Sequence, residues 1–120
     1  MIMERYMNLV PLRNEKVQLR KINGKYYLLI PMDSTLDFLA RKLHGEYRRI
    51  ELDEIGAYTW ELCDGRKTVR EIGKFLKARF GDEVEPLYQR LVTFLIELGR
   101  RYLVEFKSVE EDILGGDQNE

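Results

Sequence analysis

One uninterrupted stretch, Leu52 to Phe106, constrains this chain most, because it carries three helix signals in a row, each with its own start and stop. Asp53 is a good N-cap behind Leu52, with Ala57 at the staple position. Ile55, Tyr58, Thr59 and Leu62 run along one side of this first helix and Trp60 and Cys63 along an adjoining one, and Asp64-Gly65 stops it. Thr68 with Glu71 three residues on is a full capping box. It opens a second helix with the apolar stripe Val69, Ile72, Leu76 and Phe80, and Gly81 stands at its C′ position. The third helix begins near Asp82–Glu85 with Pro86 in its first turn, where a missing N–H costs nothing. Gly99 is expected to end it, and YLVEF, Tyr102–Phe106, to form a short strand. The expected helices are 53–63, 68–80 and 83–98.

Upstream the period changes from helical to alternating. Residues 1–14 read as a partly ordered lead-in, with Pro11 interrupting any helix. A strand over 16–22 places Val17 and Leu19 at period two. Asn23-Gly24 then suits a type I′ turn, and a second strand runs over 25–30 until Pro31 ends it. Leu36, Leu39 and Leu43 at helical spacing suggest a short crossover helix within 33–45, ended by Gly45. A third strand over 46–52 alternates Tyr47, Arg49 and Glu51 with Arg48, Ile50 and Leu52, and its charges suit a sheet edge. The expected fold is α+β and winged-helix-like: an N-terminal three-stranded antiparallel sheet, a three-helix bundle and a short C-terminal strand. A single domain over 1–106 would then be followed by an acidic flexible tail over 107–120. From Ser108 on, that tail holds Glu110, Glu111, Asp112, Asp117 and Glu120 and no base.

Composition narrows the function classes. The net charge is −1, so the whole molecule is not drawn to polyanions, and nucleic-acid binding would need a local basic patch. One cysteine, Cys63, permits no internal disulfide and no thiolate metal cluster, which points to a reducing cytoplasm. Its apolar surroundings suit a small core residue. No apolar block is long enough for a signal peptide or a membrane span. The one histidine, His44, sits in a loop context. With no glycine-rich phosphate loop and no base near a nucleophile, neither catalysis, nor a metal, nor a cofactor is expected.

The third helix has more apolar residues than one core stripe requires. Leu87, Leu91, Phe94 or Leu95, and Leu98 make the stripe, and Tyr88, Val92 and Ile96 form a second i, i+4 line. That line either packs under another element or floors a groove for a partner. A winged-helix DNA-binding regulator is the alternative reading. A base-reading helix exposes basic and amide side chains, whereas this one begins with Glu83 and Glu85. The basic residues Arg66, Lys67, Arg70, Lys74, Lys77 and Arg79 lie on the second helix, the wrong one for sequence readout.

The ordered run of Leu52, Asp53-Glu54, Ile55–Cys63, Asp64-Gly65 and Thr68-Val69, followed by a third helix and a strand, resembles the PqqD-like family. The resemblance covers about half the chain. It implies a non-catalytic recognition element that binds the leader of a ribosomally made precursor peptide and presents the peptide to a modifying enzyme, often a radical S-adenosylmethionine protein. It implies further that the leader adds as an antiparallel strand at the sheet edge and rests against the third helix. Carried onto this chain, that selects Tyr47, Arg48, Arg49, Ile50, Glu51 and Leu52 for main-chain pairing, and Tyr88, Leu91, Val92 and Leu95 for side-chain pockets. An open edge would also allow a strand-exchanged homodimer.

Overall fold

The computed structural model describes residues 2–31 and 47–108, with backbone alone at Ile2 and Tyr47. The fold is mixed α+β. In chain order it runs α1 (Ile2–Met7), β1 (Leu9–Arg13), β2 (Gln18–Ile22), β3 (Lys25–Pro31), β4 (Tyr47–Leu52), α2 (Glu54–Leu62), α3 (Val69–Phe80), a 3₁₀ turn (Gly81–Val84), α4 (Leu87–Arg100) and β5 (Val104–Ser108). The crossover helix expected within 33–45, and His44 with it, lie outside the described residues. The chain divides into two compact units, one within Met1–Asn14 and Tyr58–Glu120, the other within Glu15–Ala57.

The smaller unit holds the antiparallel sheet β2-β3-β4. Asn23 (φ 52°) and Gly24 (φ 83°) make the left-handed pair that a type I′ turn requires, and Ile22 pairs with Lys25 across it. Strand β4 returns antiparallel along β3, from Tyr47 opposite Pro31 to Leu52 opposite Tyr26. One face of the sheet is apolar, with Leu28, Ile30 and Leu52 buried. Asp53 caps α2 as expected, its Oδ1 accepting the Gly56 N–H at 2.7 Å.

The larger unit gathers α1, α3, α4 and the pair β1-β5. Its interior includes Trp60, Val69, Ile72, Leu76, Leu91, Leu95 and Leu103. Thr68 and Glu71 form the capping box: the Glu71 N–H donates to Thr68 Oγ1 at 3.1 Å and the Thr68 N–H to Glu71 Oε1 at 2.8 Å. Thr68→Ala should cost about 1 kcal/mol of stability, read as a lower denaturant midpoint at unchanged slope.

Four expectations are corrected here. Residues 1–14 carry a helix and a strand, and Pro11 sits inside β1 opposite Phe106. The Arg13 N–H donates to the Cys63 carbonyl, and the Pro11 carbonyl accepts from the Gly65 N–H. Alternation therefore turns the missing Pro11 N–H away from β5, where the ladder does not need it. The third helix starts at Leu87 rather than 83, because Glu85, ahead of Pro86, is extended (ψ 147°) and 81–84 form only a 3₁₀ turn. Nor does Gly99 end it. The helix runs on to Arg100, and a Cβ at Gly99 would lie 3.1 Å from the Phe106 ring, so this glycine lets β5 approach. The residue that turns the chain is Tyr102, at φ 62° and 84% exposed. The final strand also reaches Ser108, two residues into the segment read as tail.

Candidate functional site

Strand β4 is an outer strand of its sheet, with β3 on one side and no described strand on the other. Its backbone polarity follows from the turn. In a two-residue hairpin the flanking pair, Ile22 and Lys25, exchanges both hydrogen bonds, so Lys25, Tyr27 and Leu29 bond toward β2. Tyr26, Leu28 and Ile30 then bond toward β4, where their partners are Leu52, Ile50 and Arg48. The N–H and C=O groups of Tyr47, Arg49 and Glu51 are left pointing outward from the edge.

Side chains along this edge are mostly polar. Arg48, Arg49 and Glu51 are exposed, Ile50 is half-buried and Leu52 is buried. The Arg49 guanidinium lies over the Tyr27 ring, 5.4 Å from its centre, and Lys25 Nζ approaches Glu51 Oε2 at 3.9 Å. Both of the latter groups are more than half exposed, so this ion pair contributes little. The other outer strand, β2, also has a free side among the described residues, and there it presents Leu19 and Lys21.

In the larger unit, the α4 positions selected from the sequence are largely interior. Leu91, Val92 and Leu95 are 4%, 6% and 0% exposed. Tyr88 lies on α3, where its ring occupies the space over Gly73: a Cβ built there would stand 2.3 Å from Tyr88 Cε1. The Tyr88 hydroxyl donates to the Arg70 carbonyl at 3.1 Å. Ile96 stays half-buried. Helix α1, absent from the sequence reading, packs on both α3 and α4. The signal that could have revealed the Tyr88 contact is Gly73, a glycine inside an otherwise good helix.

Several charges on and around α3 are paired within the unit. Lys77 Nζ donates to Asp82 Oδ1 at 2.8 Å and to Glu85 Oε2 at 2.7 Å. These two hydrogen bonds raise the Lys77 pKa, and the Lys77 ammonium holds both carboxyls below their ordinary values. The backbone and hydroxyl of Thr68 hold Glu71 low in the same way. Burial pushes Asp64 up, but the hydrogen bond from Lys67 at 2.6 Å and the N–H of Arg66 outweigh it, and its pKa is lowered. Burial pushes the Cys63 thiol up to about 12.

The lowered carboxylates fix the sign of an acid effect. Their stabilisation is complete above the ordinary values of 3.8 for Asp82 and 4.5 for Glu71 and Glu85, and it is lost as pH falls through the lowered folded values. Lys77→Met should therefore flatten the acid limb of the stability-versus-pH curve. An unchanged limb would mean that this cluster does not form.

Among the described residues no group of three or more His, Cys, Asp or Glu is placed to hold a metal ion, and no helix is long and apolar enough to cross a membrane. A family model described as Coenzyme PQQ synthesis protein D (PqqD) matches residues 34–104, more than half of the chain. The chain belongs to the PqqD family. That family is involved in the recognition of precursor peptides of ribosomally made, modified products. The PqqD match takes in β4, α2, α3, α4 and the first residue of β5, and leaves out α1, β1, β2 and β3. No curated protein and no solved structure matches the chain.

Proposed function

We propose that this PqqD-family chain is a non-catalytic binding module. It takes the leader of a ribosomally made precursor peptide as an added antiparallel strand on β4 and presents the peptide to a modifying enzyme of the radical S-adenosylmethionine type in the cytoplasm. The observation that carries the proposal is the position of β4 at the sheet edge, with the backbone groups of Tyr47, Arg49 and Glu51 directed outward. Arg48, Ile50 and Leu52 hold that strand to β3. Strand addition needs no catalytic group, in keeping with the recognition role of the family.

Magnitudes say what else the leader must supply. A backbone hydrogen bond contributes about 1 kcal/mol net, whereas ordering each leader residue costs about 1–2 kcal/mol. Main-chain pairing therefore sets register and direction, and side chains must provide the affinity. Beside the edge, Ile50 offers apolar surface and Arg48 and Arg49 offer charge, so a leader with alternating apolar and acidic positions fits best. The α4 residues Tyr88, Leu91, Val92 and Leu95 act in this proposal as supports of their own unit, since three are buried and Tyr88 is engaged with α3.

Titrating the leader encoded beside this chain into labelled protein tests the proposal at single amides. The Arg49 and Glu51 amides should shift strongly, the Ile50 amide less, and those of Leu19 and Lys21 on the opposite edge least. Shifts confined to Leu19 and Lys21, or absent from both edges, would sink the proposal.

A further inference from the structure

Helix α4 ends in a Schellman turn. The Leu103 N–H donates to the Leu98 carbonyl and the Tyr102 N–H to the Gly99 carbonyl, both at 3.0 Å. Leu98 and Leu103 are buried, the apolar pair that such a turn brings together. From the end of β1, the Asn14 N–H donates to the Leu103 carbonyl at 2.8 Å, and its side-chain amide donates to the Tyr102 carbonyl at 3.3 Å. These bonds hold Tyr102 at φ 62°, in the position where helices ordinarily place glycine because a Cβ is strained there.

The ring regains nothing inside the fold for that strain. Tyr102 is 84% exposed, and among the described residues no other ring and no cation lies against it. Phe75, the next most exposed large apolar side chain, is 46% exposed and has Lys67 Nζ 5.5 Å from its ring centre. A bulky residue kept in a left-handed turn with no return from packing marks a side chain held out for use.

The neighbours of the ring say what takes it. Arg100 and Arg101 precede it and both are exposed. Arg101 has no carboxylate within ion-pair distance among the described residues, and Arg100 meets Glu97 at 3.4 Å with both side chains more than half exposed. Cations suit a helix C-terminus, which accounts for the arginines but not for the ring. Two arginines make too few phosphate contacts to hold a nucleic acid, whereas Tyr and Arg are the residues that dominate contacts between proteins. We infer that the Arg100–Arg101–Tyr102 turn is the docking point for the modifying enzyme, with Tyr102 entering an apolar slot whose rim carries carboxylates. This inference rests on the presenting role proposed above. A presenting module must hold the enzyme as well as the leader, and binding both raises the effective concentration of one near the other. The turn belongs to the larger unit and β4 to the smaller, so the two contacts draw on separate residues.

Tyr102→Gly relieves the backbone while deleting the ring, so the variant should melt no lower than the parent, and a loss of binding is then not a loss of fold. The modifying enzyme encoded beside this chain is titrated calorimetrically against the full chain and its variants. Tyr102→Gly and Tyr102→Asn, both suited to left-handed backbone, should weaken its binding by about tenfold or more. Tyr102→Phe should weaken it less, and the loss from Arg101→Glu should be largest at low salt, where charges are least screened. In every variant the Arg49 and Glu51 amides should respond to leader as in the parent. Enzyme binding that is absent from the parent, or indifferent to Tyr102→Gly, would overturn the inference; an intact leader response in the same samples would leave strand addition standing. Enzyme binding that follows Tyr102 without any leader response would do the reverse. A leader response lost in Tyr102→Gly would also overturn the inference. So would a short DNA duplex that binds the parent but not that variant, since the ring then has a different occupant.

Discussion

Arg49→Pro is expected to weaken leader binding at least tenfold while Arg49→Ala changes it far less. Arg49 pairs with Leu29 without exchanging backbone hydrogen bonds, so its N–H faces outward and is the donor an added strand would use. Proline removes that donor, projects its ring into the path of the leader, and leaves a leader carbonyl unpaired. An unsatisfied group costs about 1–3 kcal/mol, and about 1.4 kcal/mol is tenfold in affinity. An edge strand tolerates proline with its nitrogen toward solvent, so the sheet should survive. Ile50→Pro, one residue on, strikes the bond to Leu28 and should disrupt β4 itself. The comparison is read by calorimetric titration, with circular dichroism confirming the fold of each variant. Equal affinities for Arg49→Pro and Arg49→Ala would show that the leader does not pair with this edge.

Leu95→Ala should cost about 2–5 kcal/mol of stability, the range for truncating a buried leucine and leaving its cavity. Leu95 is 0% exposed, so its side chain belongs to the interior of the larger unit. Ile96→Ala, on the half-buried side of the same helix, should cost much less. Denaturant unfolding measures both, and the slope should stay constant if only the native state is affected. A loss under about 1 kcal/mol for Leu95→Ala would contradict the packing of α4. Where the variant remains folded, the Arg49 and Glu51 amides should respond to leader as in the parent. A selective loss of that response would return Leu95 to the peptide site.

The parts legible in the sequence were those that local chemistry decides. Asn23-Gly24 prefers left-handed backbone wherever it occurs, so the hairpin could be read from two residues. Asp53 and the Thr68–Glu71 pair satisfy helix N–H groups within three residues of themselves, and both caps form as the spacing implies. The ordered caps and stops between Leu52 and Val69 likewise carried the family resemblance that the PqqD match makes plain.

Partners distant along the chain were not legible in the same way. Pro11 reads as a helix breaker, and only pairing with β5, nearly a hundred residues on, makes it part of a strand. Gly73 and Gly99 read as weak points or stops in their helices. Their use is to admit the Tyr88 and Phe106 rings, which come from the next α-helix or strand along the chain and meet each glycine only after the chain turns back. The second apolar line on α4 left two readings open, a packed face or a groove. The structure puts Val92 in the interior and Tyr88 against α3.

The hairpin, the capped helices and the family follow from residue order alone, because turn and cap energetics are settled within a few residues. Tertiary structure decided which backbone groups of β4 face outward, which α4 side chains are interior, and which cations of α3 are already paired. Each of these depends on register or on contacts that close only when the chain folds.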